Sequence, residues 1–268
     1  MMEILQILGL NALAVTAMML VLWLISVRIG DVSFIDAFWA FGFVMIAGVT
    51  FLVTDMSVHG LVLTVLTAIW GLRLGIFLFW RWRGHGVDRR YAAMLKNKTE
   101  AERRIWTLKF VFGLQGLLMW IVSLPIQLGQ VGGDMPTLGV LGLLGLILTL
   151  IGIAFETIGD WQLTQFKAKP ENAGKVLDTG LWRYTRHPNY FGDTCVWWGL
   201  FLIAAETPWG LFALPGPILM TVLLLQWSGV TLLERGMKKT RPDYDAYKAR
   251  TSAFIPWPPK KPAKTEQA

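Results

Sequence analysis

The sequence predicts an all-α integral membrane protein with seven transmembrane helices, its N-terminus outside and its C-terminus in the cytoplasm. Composition is the first observation behind this: 54% of the 268 residues are hydrophobic and 16% charged, against roughly 25% charged in soluble domains. Too little polar surface remains to cover a water-soluble globule. The second is segregation, since residues 1–27 and 137–155 hold at most one acid and no base. The third is the 14 Trp residues, several of them (Trp80, Trp82, Trp106, Trp209) at the ends of apolar runs, where amphipathic rings settle at lipid headgroups.

Apolar windows of about 20 residues, the length that crosses a bilayer, fall in order near 4–27, 34–54, 58–80, 107–129, 137–160, 190–206 and 211–232. The first window lacks a basic leader and a small-residue cleavage site, so it reads as a retained helix rather than a signal peptide. Charge then orients the chain. The connections 55–57, 130–136 and 207–210 contain no Lys or Arg, whereas Arg28, the 81–106 and 161–189 loops and the tail hold nearly all of them. The positive-inside rule places these basic segments in the cytoplasm. The net charge of +7 is thereby a property of one membrane face, suited to anionic lipid and not to nucleic acid. One Cys and three His far apart in sequence (His59, His85, His187) exclude a disulfide framework or a cysteine-built metal centre, and no metal is expected. Gly139, Gly142, Gly145 and Gly152 predict close helix packing, and Pro215 and Pro217 a kink.

Polar groups at the cytoplasmic ends of the spans single out a site, because ionisable residues are costly in lipid and usually face the bundle interior. They are Asp36, Arg73, Glu156, Asp160, Asp193 and Glu234. Asp36 and Arg73 fit either an ion-pair staple between adjacent helices or part of a site. Trp39 and Trp70, each one turn from one of these charges, fit either a wall for a flat hydrophobic ligand or core packing. Residues 178–193 are more specific, with Trp182, Arg183, Tyr184, Arg186, His187, Asn189, Tyr190 and Asp193 packed immediately before an apolar helix. Arg offers forked donors for phosphate, aromatic rings offer stacking faces, and Asn and Asp suit amide or ribose groups. Such parts fit a large anionic cofactor with an aromatic base.

The run Thr179-Gly-Leu-Trp-Arg-Tyr-Thr-Arg-His-Pro-Asn-Tyr-Phe-Gly-Asp193, then Trp197-Trp-Gly199, carries a resemblance. So do Gly159-Asp-Trp-Gln162 upstream and Asp243-Tyr-(x)2-Tyr-(x)7-Ile-Pro256 downstream. Together they resemble the steroid 5-alpha-reductase-like family of integral membrane reductases, a group that extends to sterol reductases and isoprenylcysteine carboxyl methyltransferases. The resemblance covers residues 156–258 closely and the Asp36 and 70–91 regions more loosely.

It implies one seven-helix reductase domain over residues 1–258, with 156–258 as the cofactor-binding half and 259–268 a solvated basic tail. NADPH would be held on the cytoplasmic side by Asp160, Trp182, Tyr184, Arg186, His187, Asn189, Tyr190 and Asp193, with Arg73, Arg81 and Lys167 near its phosphates. The substrate would be a steroid or similar enone lipid, admitted from the bilayer against Trp39 and Trp70. Where the eukaryotic steroid enzymes carry a Gln-Glu pair and a Tyr to polarise the 3-oxo group, this sequence has Asp36 and Trp70, so Asp36 is the expected acid. No Gly-x-Gly-x-x-Gly follows a strand, so the cofactor site would not be a Rossmann fold. A methyltransferase using S-adenosylmethionine is the alternative from the same scaffold. A transporter would instead place its polar groups near the midplane.

Overall fold

The computed structural model describes residues 1–85, 88–132, 136–227 and 230–260. The helices are α1 (Met2–Ile29), α2 (Ile35–Val53), α3 (Val58–His85), α4 (Arg89–Leu95), α5 (Glu100–Trp106), α6 (Leu114–Val122), α7 (Leu124–Leu128), α8 (Val140–Ala168), α9 (Pro188–Ala204), α10 (Pro215–Val222), α11 (Val230–Thr240) and α12 (Tyr244–Arg250). Among the described residues the only β pairing is a single parallel bridge, Thr185 to Ser252.

Among the described residues, five stretches are long and apolar enough to cross a membrane: Met2–Ile29, Ile35–Val53, Val58–Gly84, Glu100–Val122 and Val140–Ala168. The sixth and seventh expected spans are helical but shorter. α9 has 17 residues, opened by Pro188. The last apolar run, Gly210–Gln226, changes from 3-10 to α to π geometry along its length, with Pro215 and Pro217 in the first turn of its α-helical part. The fourth span begins seven residues before its expected start at residue 107. A capping box explains this: the Thr99 side chain accepts from the Glu102 amide, while the Glu102 carboxylate accepts from the Thr99 amide at 2.7 Å. Pro125, which has no N–H, restarts the helix as α7 after Ser123. Of the basic tail, residues 261–268 lie outside the described residues.

Two compact units are distinguished, one of 1–144 with 200–216 and the other of 145–199 with the chain from Pro217 onward. In the first, α1 buries Asn11, Val15, Met19, Leu22 and Ser26, a stripe at spacings of three and four that marks one helix face. Leu13, Leu20 and Leu24 on its other faces are exposed, as lipid-facing side chains are. Gly30 ends α1 in the left-handed conformation (φ 72°), its N–H on the Ser26 carbonyl. The Asn11 amide donates to Thr50 Oγ1 at 2.8 Å, tying α1 to α2. α2 and α3 lie close because Gly71 faces the Ala40 carbonyl, where a Cβ would come within 2.9 Å.

In the second unit α8 and α9 are held together by small residues. A Cβ on Gly152 would meet the Gly192 carbonyl at 2.5 Å, and one on Gly192 would meet the Gly152 carbonyl at the same distance. Backbone contact this close is what the glycine spacing of α8 predicted.

Candidate functional site

The second unit positions the 178–193 run from both sides. Pro188 opens α9 at a helix position that needs no N–H. Just before it, the Arg186 amide donates to the Ser252 carbonyl at 3.0 Å, Thr185 Oγ1 to the Phe254 carbonyl at 2.7 Å, and the Trp257 amide to the Tyr184 carbonyl at 3.0 Å. The 252–257 segment therefore lies along 184–186. Tyr247 Oη donates to the Trp182 carbonyl at 2.6 Å, and Trp182 Nε1 to the Gly159 carbonyl at 3.1 Å. Burial pushes the Tyr244 phenol up to about 12 and that of Tyr247 higher still, so both stay protonated.

At the centre is Glu234, whose side chain is 11% exposed. Arg186 Nε donates to its Oε1 at 2.8 Å, His187 Nε2 lies 3.3 Å from the same oxygen, and Lys248 Nζ is 3.0 Å from Oε2. Burial alone would raise its pKa, but the donors from His187, Arg186 and Lys248 outweigh it and hold the carboxylate well below its ordinary range. Arg186 Nη1 also donates to the Thr251 and Lys248 carbonyls, at 2.6 and 3.3 Å. Arg186 and Trp182 are thus committed to the fold, and His187 is shared with it, its ring stacked on Tyr190 with centroids 5.6 Å apart. An ion pair of Arg250 with Asp178 closes the same region.

Beside this core, Asn189 at the head of α9 donates to Asp160 Oδ1 of α8 at 3.2 Å. Gly159 permits the approach, since a Cβ there would already stand 3.3 Å from the Asn189 amide. Tyr184 and Lys167 are exposed, Tyr190 and Asn189 half-buried, and Asp160 and Asp193 buried.

The chain belongs to a family of unknown function. The family's model, described as "Protein of unknown function (DUF1295)", matches residues 22–251, which include both polar clusters. Neither the curated proteins nor the solved structures contain a match to the chain.

The other expected residues lie in the first unit. Asp36 Oδ1 accepts from Tyr91 Oη at 2.9 Å, and that phenol oxygen accepts from Gln115 Nε2 at 3.2 Å. Trp39 Nε1 donates to the Gln115 carbonyl at 3.2 Å. Phe43 stands between the two indoles, 4.9 Å from Trp39 and 5.8 Å from Trp70. Trp70 is only 1% exposed and packs as core. Arg73 is half-buried on α3, and Arg81 is exposed with its guanidinium 6.0 Å from the Phe77 ring centroid.

Sequence reasoning did not select Tyr91 or Gln115 as site residues. Gln115 follows a π-helical segment, Thr107–Gly113, whose wider turn resets the helix face and has no signature in the sequence. His59 was also passed over. It is fully buried, with Nε2 2.9 Å from Glu206 Oε2, and that oxygen accepts from the Gly139 amide at 2.9 Å. An isolated acid at a span end, matched with a distant lone His, would have been the only sign.

Proposed function

We propose that the protein is a membrane-embedded, NADPH-dependent reductase of an enone lipid, saturating the 4,5 double bond of a 3-oxo-4-ene steroid or a molecule of that shape. Seven spans, an outside N-terminus and a cofactor site on the cytoplasmic side complete the reading, on the strength of the Lys and Arg distribution. The observation that carries it is the head of α9. There Asn189, fixed by Asp160, stands in the run that resembles the steroid 5-alpha-reductase-like enzymes.

The donor set suits such a cofactor. Asn189, oriented by Asp160, would hold a carboxamide, Tyr184 and Tyr190 offer ring faces, and exposed Lys167 and Arg183 offer charge for phosphate. Arg186, with Nε and Nη1 already engaged, would act by positioning the loop. NADPH supplies the hydride that adds to the β-carbon of the enone. Asp36, held through Oδ1 by the Tyr91 hydroxyl, is the acid we assign to the enolate oxygen. Saturation is completed by a proton at the α-carbon.

The test is ligand binding and turnover by the detergent-solubilised protein. NADPH should bind more tightly than NADH, because cations on this face can pair with the 2′-phosphate. Progesterone or testosterone should then be reduced at the expense of NADPH. Asn189→Ala should weaken NADPH binding about tenfold, as expected for one lost hydrogen-bonded contact, while leaving the protein folded. Asp36→Asn should lower turnover about a hundredfold, the scale of one oxyanion donor, and leave NADPH affinity unchanged. Saturable binding of S-adenosylmethionine with no binding of NADPH would replace the reductase by a methyltransferase.

A further inference from the structure

A pocket of about 230 Å³ in the first unit is lined by Gly30 and Asp31 after α1, Tyr91 and Ala92 of α4, and Arg103 of α5. It contains two opposite charges that neutralise neither each other nor, among the described residues, any other group. Asp31 Oδ1 accepts from the Ser33 amide and Oδ2 from Trp82 Nε1, both at 2.7 Å. Burial opposes the charge on Asp31, but these donors outweigh it and hold the carboxyl below its ordinary value. Arg103 uses only Nε within the fold, donating to the Leu95 and Lys98 carbonyls at 3.1 and 3.0 Å. Its two terminal nitrogens make no hydrogen bond or ion pair among the described residues.

An anion and a cation each oriented by neutral groups and facing one small cavity call for a ligand that carries both charges. The fold indicates where that ligand comes from. Gly30 immediately follows the span Met2–Ile29, and Arg103 lies in the first turn of the span Glu100–Val122, so the pocket sits at the depth of lipid headgroups. Ile25, Ile29, Met94 and Ile105 on the lining helices are exposed, as acyl-chain contacts would be.

We propose that this pocket binds the headgroup of a phosphatidylethanolamine-type lipid, its ammonium on Asp31 and its phosphate on the terminal nitrogens of Arg103. The ammonium keeps three donors for a carboxylate, whereas a trimethylated choline has none, so the site discriminates between the two headgroups. The pocket bounds the Tyr91 side of the Asp36 cluster but does not depend on the reductase reading.

The full chain in detergent, stripped of lipid and titrated with short-chain phosphatidylethanolamine, phosphatidylcholine or phosphatidylglycerol, tests this by native mass spectrometry. Phosphatidylethanolamine should be retained about tenfold better than phosphatidylcholine, the scale of one charge-assisted contact. Asp31→Asn should remove that preference and leave phosphatidylglycerol unaffected. Arg103→Gln should weaken both phosphatidylethanolamine and phosphatidylglycerol. Ala92→Phe, which fills the pocket without altering a charge, should weaken all three and guards against misfolding of the charge variants. Equal retention of the three lipids, or retention indifferent to Ala92→Phe, would overturn the site. Soluble glycerophosphoethanolamine binding as tightly as the lipid would overturn the bilayer as its source. NADPH binding is read separately, so failure here leaves the reductase proposal standing.

Discussion

In the unit of 1–144 and 200–216, buried polar side chains meet in twos or threes along helix faces: Asn11 with Thr50, Gln127 with Ser123, His59 with Glu206. In the other unit one carboxylate, Glu234, gathers Arg186, His187 and Lys248, and Arg186 passes the connection on to the carbonyls of Lys248 and Thr251. The first arrangement gives each polar group a local partner, so that its members can be lost or replaced with consequences confined to two helices. The second makes a loop, two helices and the segment before the tail depend on a single charge. Polar networks of that kind cost more to break than the sum of their contacts, because each lost member leaves the others desolvated.

The largest expected effect follows from the hub. Glu234→Ala leaves the buried Arg186 guanidinium without its anion, and breaking such a pair by removing one partner costs about 3–5 kcal/mol. Thermal unfolding in detergent should show the loss, and proteolysis should reach the 178–187 and 251–257 segments first. The hub also predicts a pH dependence. Because the folded state holds Glu234 below its unfolded value near 4.5, its contribution is fully present above that value and is withdrawn as pH falls toward the folded one. Wild type should therefore lose stability on acidification in a component that the Glu234→Ala protein lacks. Arg186→Lys should recover only part of the difference between Arg186→Ala and wild type, since an ammonium cannot span the carboxylate and two carbonyls as the planar fork does.

These contacts explain which parts of the molecule were legible in the sequence. The long helices were: apolar runs and the change to polar residues fix a span to within a few residues, and α1, α2 and α3 begin within two residues of expectation. The fourth span moved because Thr99 and Glu102 cap a helix in polar sequence, a local signal that a hydropathy window averages away. The chemical density of 178–193 was also legible, since so many side chains of that kind rarely precede an apolar helix by chance. Their assignments were not, because the partner that claims Arg186 and His187 lies more than 45 residues away at Glu234. Sequence alone cannot tell a guanidinium waiting for phosphate from one already held by a carboxylate and carbonyls. Tyr91 and Gln115 escaped for the same reason, as each becomes informative only once Asp36 is seen beside it.

A smaller effect belongs to the first unit. Glu206→Gln keeps an acceptor for the Gly139 amide but removes the charge facing His59, for which an expected cost of about 1–3 kcal/mol follows from a charge-assisted hydrogen bond. His59→Gln should cost a similar amount, and the double variant should cost less than the two added together, because the second substitution removes a partner already lost. Full additivity would mean that the two side chains do not act on one another.

The smallest effect provides the sharpest contrast with Glu234. Thr50→Val alone strands the Asn11 amide nitrogen in a site with no exposure, a loss on the order of 1–3 kcal/mol for an unsatisfied buried donor. Asn11 Oδ1 is itself buried without a hydrogen-bond partner, so the wild-type pair already carries an unsatisfied acceptor. Replacing both residues by apolar ones of similar volume, Asn11→Leu with Thr50→Val, removes the donor and that acceptor together. Its melting temperature should return to within a few degrees of wild type, because exchanging both partners of a buried hydrogen bond for apolar groups is close to neutral. No second substitution of this kind can repair Glu234→Ala, since Arg186, His187 and Lys248 would all have to change at once. A double variant no better than Thr50→Val would show that the α1–α2 pair is needed for more than its own hydrogen bond, and the contrast between local pairs and a shared hub would fail.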